Sequence, residues 1–278
     1  MNALDPVIGW DEVPAGAVIA DVRWYLDGRD ARIEYADGHV AGAVFVDLDR
    51  DLAASGRDVT EGRHPLPDPD DFAAAMGRLG IGDATPVVAY DDTAGMTAGR
   101  LVVMLRLLGH PAALADGGLA AYAGSLERGA GSVPPVATFT ARPWPADGLA
   151  DSGQAAAVAA ADDGRLLDAR AADRFTGKVT TLDSRPGHIP GATNAPWSGV
   201  LDPATGRFRN PHELFEHFAA LGIDEQTDVV ASCGSGVSTC ANILAMERAG
   251  LPAPRLYVAS FSGWSADPDR PTELGPTP

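Results

Sequence analysis

A cysteine on a glycine-rich turn is the feature of this sequence that most clearly suggests chemistry. Cys233 opens "CGSGVST" (233–239), which follows the β-branched run "DVVAS" and leads into a segment with helical spacing beginning around Val237. Such a turn lies at the carboxyl end of a strand, where α/β sheets form ligand crevices. Gly234 and Gly236 allow a ligand to approach the turn amides closely. The pattern predicts an anion cradle in which the helix N-terminus favours the Cys233 thiolate, a nucleophile.

The chain has only two cysteines, Cys233 and Cys240. They are too sparse for a disulfide scaffold and lack the partners of a zinc site, so at least one should be a free thiol. Cys240 falls on the predicted helix, where packing is the expected role and a redox role is the alternative. For Cys233 the alternative to a nucleophile is a small buried core residue.

An internal repeat defines the organisation of the chain. The stretch "LGIGDATPVVAYDD" (79–92) resembles "LGIDEQTDVVASCG" (221–234). The length of 278 residues also exceeds that of a typical single domain. We therefore expect two related domains, at 1–126 and 149–278. The Gly, Pro and small residues of 127–148 suit an exposed linker between them.

Within each half, short apolar runs precede longer helical segments. "PVVAY" precedes "TAGRLVVMLRLLG" in the first half, and "DVVAS" precedes "STCANILAMERAG" in the second. Apolar residues recur at three- and four-residue steps in both longer segments, and a glycine closes each one. "DPDDFAAAMGRLG" and "NPHELFEHFAALG" form another matched pair of predicted helices. The alternation predicts an α/β fold in which each domain has a parallel sheet flanked by helices.

The composition limits the context in which this chemistry operates. With 45% hydrophobic and 21% charged residues, the chain is expected to be globular. A formal net charge of −17 argues against nucleic acid as a partner, because a polyanion requires a basic surface. The stretch "MNALDPVIGW" has no basic start followed by an apolar core, and no run approaches the length of a membrane span. We expect a soluble cytoplasmic protein with no membrane partner.

The loop "CGSGVST", the run "DAR…RF…GHIPG" and the tandem repeat together resemble the two-domain rhodanese-like sulfurtransferases, in particular their 3-mercaptopyruvate branch. The resemblance covers nearly the whole chain. It implies tandem rhodanese-like domains without a metal or cofactor, and transfer of sulfane sulfur through a persulfide on Cys233. The donor would be 3-mercaptopyruvate, and the acceptor a thiol such as thioredoxin, or cyanide. Substrate contacts are implied for Gly234, Gly236, Val237 and Ser238, the last of which replaces the usual Thr.

Comparison of the two halves separates candidate catalytic residues from residues with a structural role. Asp91 occupies the position that matches Cys233, so the first half should be catalytically silent. His39 and His188 recur in the paired turns "GHVAG" and "GHIPG", which favours a structural role for both. His64, in "EGRHPLP", has no such counterpart.

In the mercaptopyruvate enzymes, an aspartate and a histidine of the silent domain form an Asp-His-Ser arrangement with the loop serine. The resemblance gives these roles to Asp49 in "FVDLD", His64 and Ser235. A histidine oriented by a carboxylate suits protonation of the enolate that leaves when mercaptopyruvate loses its sulfur. The alternative for His64 is an exposed loop histidine.

Recognition of the substrate carboxylate requires a guanidinium, which binds carboxylates through two parallel hydrogen bonds. Arg174 in "ADRFTG" matches the first arginine that the family uses. Arg185 in "DSRPGHIPG" is the candidate for the second arginine, with a surface arginine as the alternative and Lys178 as a further option.

Three other functions compete with this interpretation. The neutral loop argues against a thiosulfate:cyanide sulfurtransferase, whose loop is more basic, but that activity is the first alternative. A sulfur-relay module that turns over no small-molecule donor is the second. A phosphatase is disfavoured because Thr239 stands where the Cys-x5-Arg motif requires arginine.

Overall fold

The computed structural model describes residues 4–131, 133–180 and 182–276. The chain divides into two compact units. The first unit comprises Met1–Ala54, Pro67–Trp144 and Pro203–Phe208, and the second comprises Ser55–Leu66, Pro145–Asp202 and Arg209–Pro278. The segment Ser55–Leu66, which carries His64, therefore belongs to the second unit although it lies in the first half of the sequence.

The first unit is built on a parallel sheet with the strand order β1-β6-β5-β2-β4. Strands β3 and β7 pair separately in an antiparallel ribbon. The strands are β1 (Val7–Ile8), β2 (Val18–Asp21), β3 (His39–Val40), β4 (Val44–Phe45), β5 (Val87–Tyr90), β6 (Ala112–Ala115) and β7 (Leu126–Glu127). The helices are α1 (Ala31–Asp37), α2 (Leu48–Asp51), α3 (Pro69–Arg78) and α4 (Ala98–Leu107).

The second unit repeats this topology with a parallel sheet of order β10-β9-β11-β12-β8. Its strands are β8 (Leu149–Ala150), β9 (Gly164–Asp168), β10 (Thr193–Asn194), β11 (Asp228–Ser232) and β12 (Arg255–Tyr257). Its helices are α5 (Ser152–Ala160), α6 (Ala172–Phe175), α7 (Pro211–Ala219), α8 (Thr239–Arg248) and α9 (Ser260–Ala266). The predicted α/β fold with a parallel sheet in each half is confirmed.

Each sheet has its own core, and the central strands are the most deeply buried. Every residue of β5 is buried, as are the last four residues of β11. Helices α3 and α7 begin at the prolines of the two Asp/Asn-Pro signals, with Asn210 capping α7 through its side chain. Within the described residues, no helix is long and apolar enough to cross a membrane.

Candidate active site

Cys233 follows β11, the central strand of the second sheet, which pairs with β9 and β12. Its thiol is free and its side chain is 1% exposed. Helix α8 begins at Thr239 with Ser238 at the N-cap position, two residues after the predicted start at Val237. Gly236 has a φ of 72°, a left-handed conformation that glycine adopts without strain. The local sequence therefore places the sulfur on a turn below a helix N-terminus.

The start of α9 holds the backbone of Cys233 and Gly234. The Cys233 N–H donates to the Ser260 hydroxyl at 3.1 Å, and the Cys233 carbonyl accepts from the Phe261 N–H at 3.0 Å. The Gly234 carbonyl accepts from the Ser262 N–H at 2.9 Å. Ser260 adopts a φ of 51°, which is costly for a non-glycine residue. In this conformation the Ser260 hydroxyl accepts the hydrogen bond from the Cys233 N–H.

His64 and Ser235 form a buried hydrogen bond in the same unit. His64 Nδ1 lies 2.8 Å from Ser235 Oγ. The His64 side chain is 6% exposed and Ser235 is 8% exposed. His64 is therefore buried, and the alternative of an exposed loop histidine is wrong. An imidazole ring is hydrogen bonded to a hydroxyl two residues after Cys233.

A close backbone approach positions the His64 segment against α9. A methyl group on Gly62 would lie within 3.0 Å of three backbone atoms of Ala259, and the φ of Gly62 is 86°. Next to it, the Arg63 N–H donates to Ser262 Oγ at 3.1 Å. Glycine is required at position 62 because a side chain would separate the two backbones.

A cluster of charged groups lies beside the loop. Asp183 accepts from Arg63 Nη1 at 2.6 Å and from Arg174 Nη2 at 2.7 Å. Arg170 Nη1 lies 3.5 Å from the same carboxylate. Burial alone would raise the pKa of Asp183, but hydrogen bonds from Arg63 and Arg174 outweigh it and lower that pKa below its ordinary value. Asp183 is therefore a stable carboxylate that binds two guanidiniums and lies near a third.

The structure brings Arg174 to the loop, but it places Arg185 elsewhere. Arg185 donates to the carbonyls of Trp264, Ser265, Asp267 and Arg270. Four backbone acceptors in the last turn of α9 and the segment after it bind its guanidinium, and this favours a structural role over substrate binding. Lys178, the further option, is 74% exposed and 3.7 Å from Asp173.

Sequence reasoning missed Arg63 and Asp183. Arg63 directly precedes His64 in "EGRHPLP", and this adjacency to a candidate catalytic residue is the signal that could have identified it. Asp183 precedes Arg185 by two positions, and attention to the arginine left the acid unnoticed. Their pairing joins positions 120 residues apart and depends on the docking of Ser55–Leu66 into the second unit.

Asp49, the predicted orienting carboxylate, belongs to the first unit, where it lies in α2. It accepts a hydrogen bond from Trp24 Nε1 at 3.0 Å. Both residues line a cleft of about 460 Å³ in that unit. Its role toward His64 stays a prediction.

In the first unit, the loop that matches the Cys233 loop has its amides bound to the carboxylate of Asp91. Asp91 follows β5 as Cys233 follows β11. It accepts from the amides of Thr93, Gly95, Thr97 and Ala98 at 2.8 to 2.9 Å. The Thr97 hydroxyl donates to the Val22 carbonyl at 2.7 Å and also lies 3.0 Å from the Asp91 carboxylate. The anion that these loop amides bind is therefore a side chain of the protein itself.

The paired histidines have matching surroundings in the two units. The His39 ring stacks on Tyr35 and the His188 ring stacks on Phe175, each with ring centroids 3.8 Å apart. Each Nδ1 is hydrogen bonded to the carbonyl of the residue on which the ring stacks. This duplication agrees with the structural role that the sequence favours for both histidines.

The second cysteine is packed inside the unit. Cys240 is fully buried on α8, and its Sγ lies 3.4 Å from the Gly236 carbonyl oxygen. In the parts of the chain that the structure describes, no group of three or more His, Cys, Asp or Glu residues is arranged to hold a metal ion.

The chain resembles known proteins over nearly its whole length. The family described as "Rhodanese-like domain" matches residues 10–125 and 153–267. A Pseudomonas aeruginosa protein named as a probable 3-mercaptopyruvate sulfurtransferase is 41% identical over 266 residues, covering 93% of this chain and 92% of that protein. A Mycobacterium tuberculosis protein that carries the name of a thiosulfate sulfurtransferase is 38% identical, covering 92% of this chain and 90% of that protein. The solved structure of 3-mercaptopyruvate sulfurtransferase from Leishmania major has a TM-score of 0.82 and 32% identity, covering 95% of this chain and 74% of that one.

Proposed function

The chain belongs to the family of proteins with rhodanese-like domains, and we propose that it is a sulfurtransferase that takes sulfane sulfur from 3-mercaptopyruvate. The observation that most supports 3-mercaptopyruvate as the donor is the 2.8 Å hydrogen bond between His64 and Ser235 in the loop of Cys233. When 3-mercaptopyruvate gives up its sulfur, the leaving group is the enolate of pyruvate, which must take up a proton. When thiosulfate gives up its sulfur, the leaving group is sulfite, which needs no proton. The name of the Pseudomonas aeruginosa relative supports the same donor.

In the loading step, the Cys233 thiolate attacks the sulfur of 3-mercaptopyruvate. A sulfur–sulfur bond forms, the carbon–sulfur bond breaks, and its electron pair goes to carbon as the enolate of pyruvate. Cys233 is left as a persulfide. The amides of the loop and the start of α8 favour the anionic sulfur throughout.

The departing enolate takes up one proton at carbon to become pyruvate. We assign delivery of this proton to His64 acting with the Ser235 hydroxyl, since the two are hydrogen bonded beside the nucleophile. Histidine suits this role because it changes protonation state near neutral pH. Asp49 keeps the proposed role of orienting the ring, on the resemblance alone.

In the unloading step, an acceptor thiolate attacks the outer sulfur of the persulfide. The acceptor becomes a persulfide and the Cys233 thiolate is restored. Cyanide takes the same sulfur and becomes thiocyanate. A thiol such as thioredoxin and cyanide are therefore the proposed classes of acceptor.

Thiosulfate is the second candidate donor, and one observation favours it. Arg63 and Arg174 both lie against Gly234, where their guanidiniums could bind a dianion. The name of the Mycobacterium tuberculosis relative points to the same substrate.

A side-by-side measurement of kcat/KM for 3-mercaptopyruvate and thiosulfate, with cyanide as acceptor, decides between the donors. We expect the larger value for 3-mercaptopyruvate, and no turnover of either donor by Cys233→Ala. A larger value for thiosulfate would overturn the assignment. Turnover of neither donor by the wild type would favour a sulfur-relay module.

A further inference from the structure

One residue of α9 contacts both the loop of the nucleophile and the segment of the proposed acid. The Ser262 N–H donates to the Gly234 carbonyl at 2.9 Å, and Gly234 directly follows Cys233. The Ser262 hydroxyl accepts from the Arg63 N–H at 3.1 Å, and Arg63 directly precedes His64. All of these residues belong to the second unit. Ser262 therefore joins the two parts of the chain between which the proton of the reaction is proposed to move.

The Ser262 hydroxyl is held in the orientation that this contact requires. The side chain is 7% exposed, and its Oγ donates to the Ala259 carbonyl at 3.1 Å. Because this bond uses the single hydroxyl proton, the oxygen can only accept in its contact with the Arg63 N–H. The two bonds together fix the Arg63 backbone relative to α9.

Two glycines bring the backbones of the segment and the helix into contact beside Ser262. Gly62 faces the Ala259 backbone, and a methyl group on Gly263 would overlap the Thr60 carbonyl oxygen. A side chain at either position would separate the two backbones. The segment therefore rests directly on α9, so a hydrogen bond from α9 can set the position of the residues that follow Gly62.

The matching position in the first unit has no hydroxyl. "ADGGLAAY" (115–122) aligns with "YVASFSGW" (257–264), and β6 and β12 end at the first residues of these stretches. This alignment pairs Ser262 with Ala120, which is exposed and whose side chain cannot accept a hydrogen bond. The shared topology therefore does not require a hydroxyl here, and the hydroxyl occurs in the unit that has the cysteine.

We propose that Ser262 is a positioning residue that places His64 for proton delivery to the departing enolate. It acts through the Arg63 amide, one residue before the ring that is hydrogen bonded to Ser235 at 2.8 Å. The inference rests on the proposed function, because a positioned acid matters for a donor whose leaving group takes up a proton. The contribution of Ser262 should therefore depend on the donor, with 3-mercaptopyruvate affected and thiosulfate spared.

Single-turnover loading at saturating 3-mercaptopyruvate, followed by rapid quench and mass spectrometry, tests this role. Ser262→Ala removes the hydroxyl and keeps the backbone bond to Gly234. Its loading rate should fall about threefold to tenfold, the range for one neutral hydrogen bond, with little change in the half-saturating donor concentration. Loading from thiosulfate should keep the wild-type rate. Ser262→Thr should load from 3-mercaptopyruvate like the wild type, because a threonine hydroxyl in a helix can also bond the carbonyl three residues earlier.

The same measurement in the His64→Ala background shows whether Ser262 acts through His64. If it does, adding Ser262→Ala to His64→Ala should cause no further loss with 3-mercaptopyruvate, because the group that the hydroxyl positions is already absent. Equal fold losses in the two backgrounds would overturn the inference, and so would a wild-type rate in Ser262→Ala. Equal losses of Ser262→Ala with the two donors would also overturn it, since a merely structural role predicts that pattern.

Ser265→Ala is the matched control for the loss of the hydroxyl. It also removes a buried hydroxyl from α9, but that hydroxyl donates within the helix, to the Ser262 carbonyl at 3.4 Å. Its loading from 3-mercaptopyruvate should equal that of the wild type, and thermal midpoints of all variants show whether folding is intact. A wild type that forms no persulfide from 3-mercaptopyruvate would instead overturn the proposed function, and this inference with it.

Discussion

At the scale of single residues, the chemistry depends on what each side chain near Cys233 binds. The sequence predicts Cys233 as the nucleophile because a cysteine on a Gly-rich strand-to-helix turn is typical of one. Arg63 could not be identified in this way. Its contacts are with Asp183 and Gly234, which lie more than 100 positions away in the sequence but in the same unit as Ser55–Leu66.

His64 is the residue at which proton delivery can be separated from sulfur transfer. His64→Ala should lower the rate of sulfur loading from 3-mercaptopyruvate about 10²- to 10⁴-fold, the usual contribution of a positioned acid or base. Loading from thiosulfate should fall much less, because sulfite leaves without a proton. Rapid-quench measurement of persulfide formation with each donor gives both rates.

The exposed His212 provides the control for this comparison. His212→Ala should load from both donors at the wild-type rate. Thermal midpoints of both variants show whether folding is intact. Equal losses with the two donors in His64→Ala would mean that the ring supports loop shape and not proton delivery.

At the scale of elements, the sequence best predicted the strands and helices that local residue patterns specify. "DVVAS" became β11, and the two Asp/Asn-Pro signals became α3 and α7, because β-branched runs and capped periodic segments specify strands and helices through neighbours in the chain. The position of Arg185 could not be predicted in that way. It depends on carbonyls at the end of α9, some 80 residues later.

The loop between β5 and α4 depends on Asp91 as a structural anion. Asp91→Ala would leave three buried loop amides and one half-buried amide without their acceptor, so it should destabilise the first unit by about 3 kcal/mol or more. Urea unfolding followed by tryptophan fluorescence measures this loss. Asp71→Ala, which removes an exposed carboxylate on α3, should cost far less. Similar losses in the two variants would contradict the role given to Asp91.

Helix α7 makes the stability of the second unit sensitive to pH. Burial, and secondarily the charge of Arg209, lowers the pKa of His217 below its ordinary value. The unfolded chain then binds more protons at this residue than the folded chain, so this contribution to stability is lost as pH falls through the unfolded pKa of about 6.5. In urea titrations at pH about 7.5 and about 5.5, His217→Gln should lose less unfolding free energy than the wild type. An equal loss would show that His217 is not involved.

At the scale of the whole molecule, two units of similar topology differ in the residue that follows the central strand. The matching strand orders and the two matched family regions confirm the tandem rhodanese-like domains that the sequence predicted. Both units have the parallel sheet and the strand-to-helix loop, and the residue after the central strand is Asp91 in one unit and Cys233 in the other. The net charge of −17 makes the local positive charge at Arg63 and Arg174 the more important for attracting a small anion.

The central claim is that sulfur travels through Cys233 of the second unit. Its most direct test is the mass of the intact chain, followed by peptide mapping, after incubation with 3-mercaptopyruvate without an acceptor. We predict one added sulfur atom per chain, located on Cys233 and discharged by cyanide, with Cys240 unmodified. Sulfur on Cys240, or turnover in Cys233→Ala with no sulfur on any cysteine, would contradict the account.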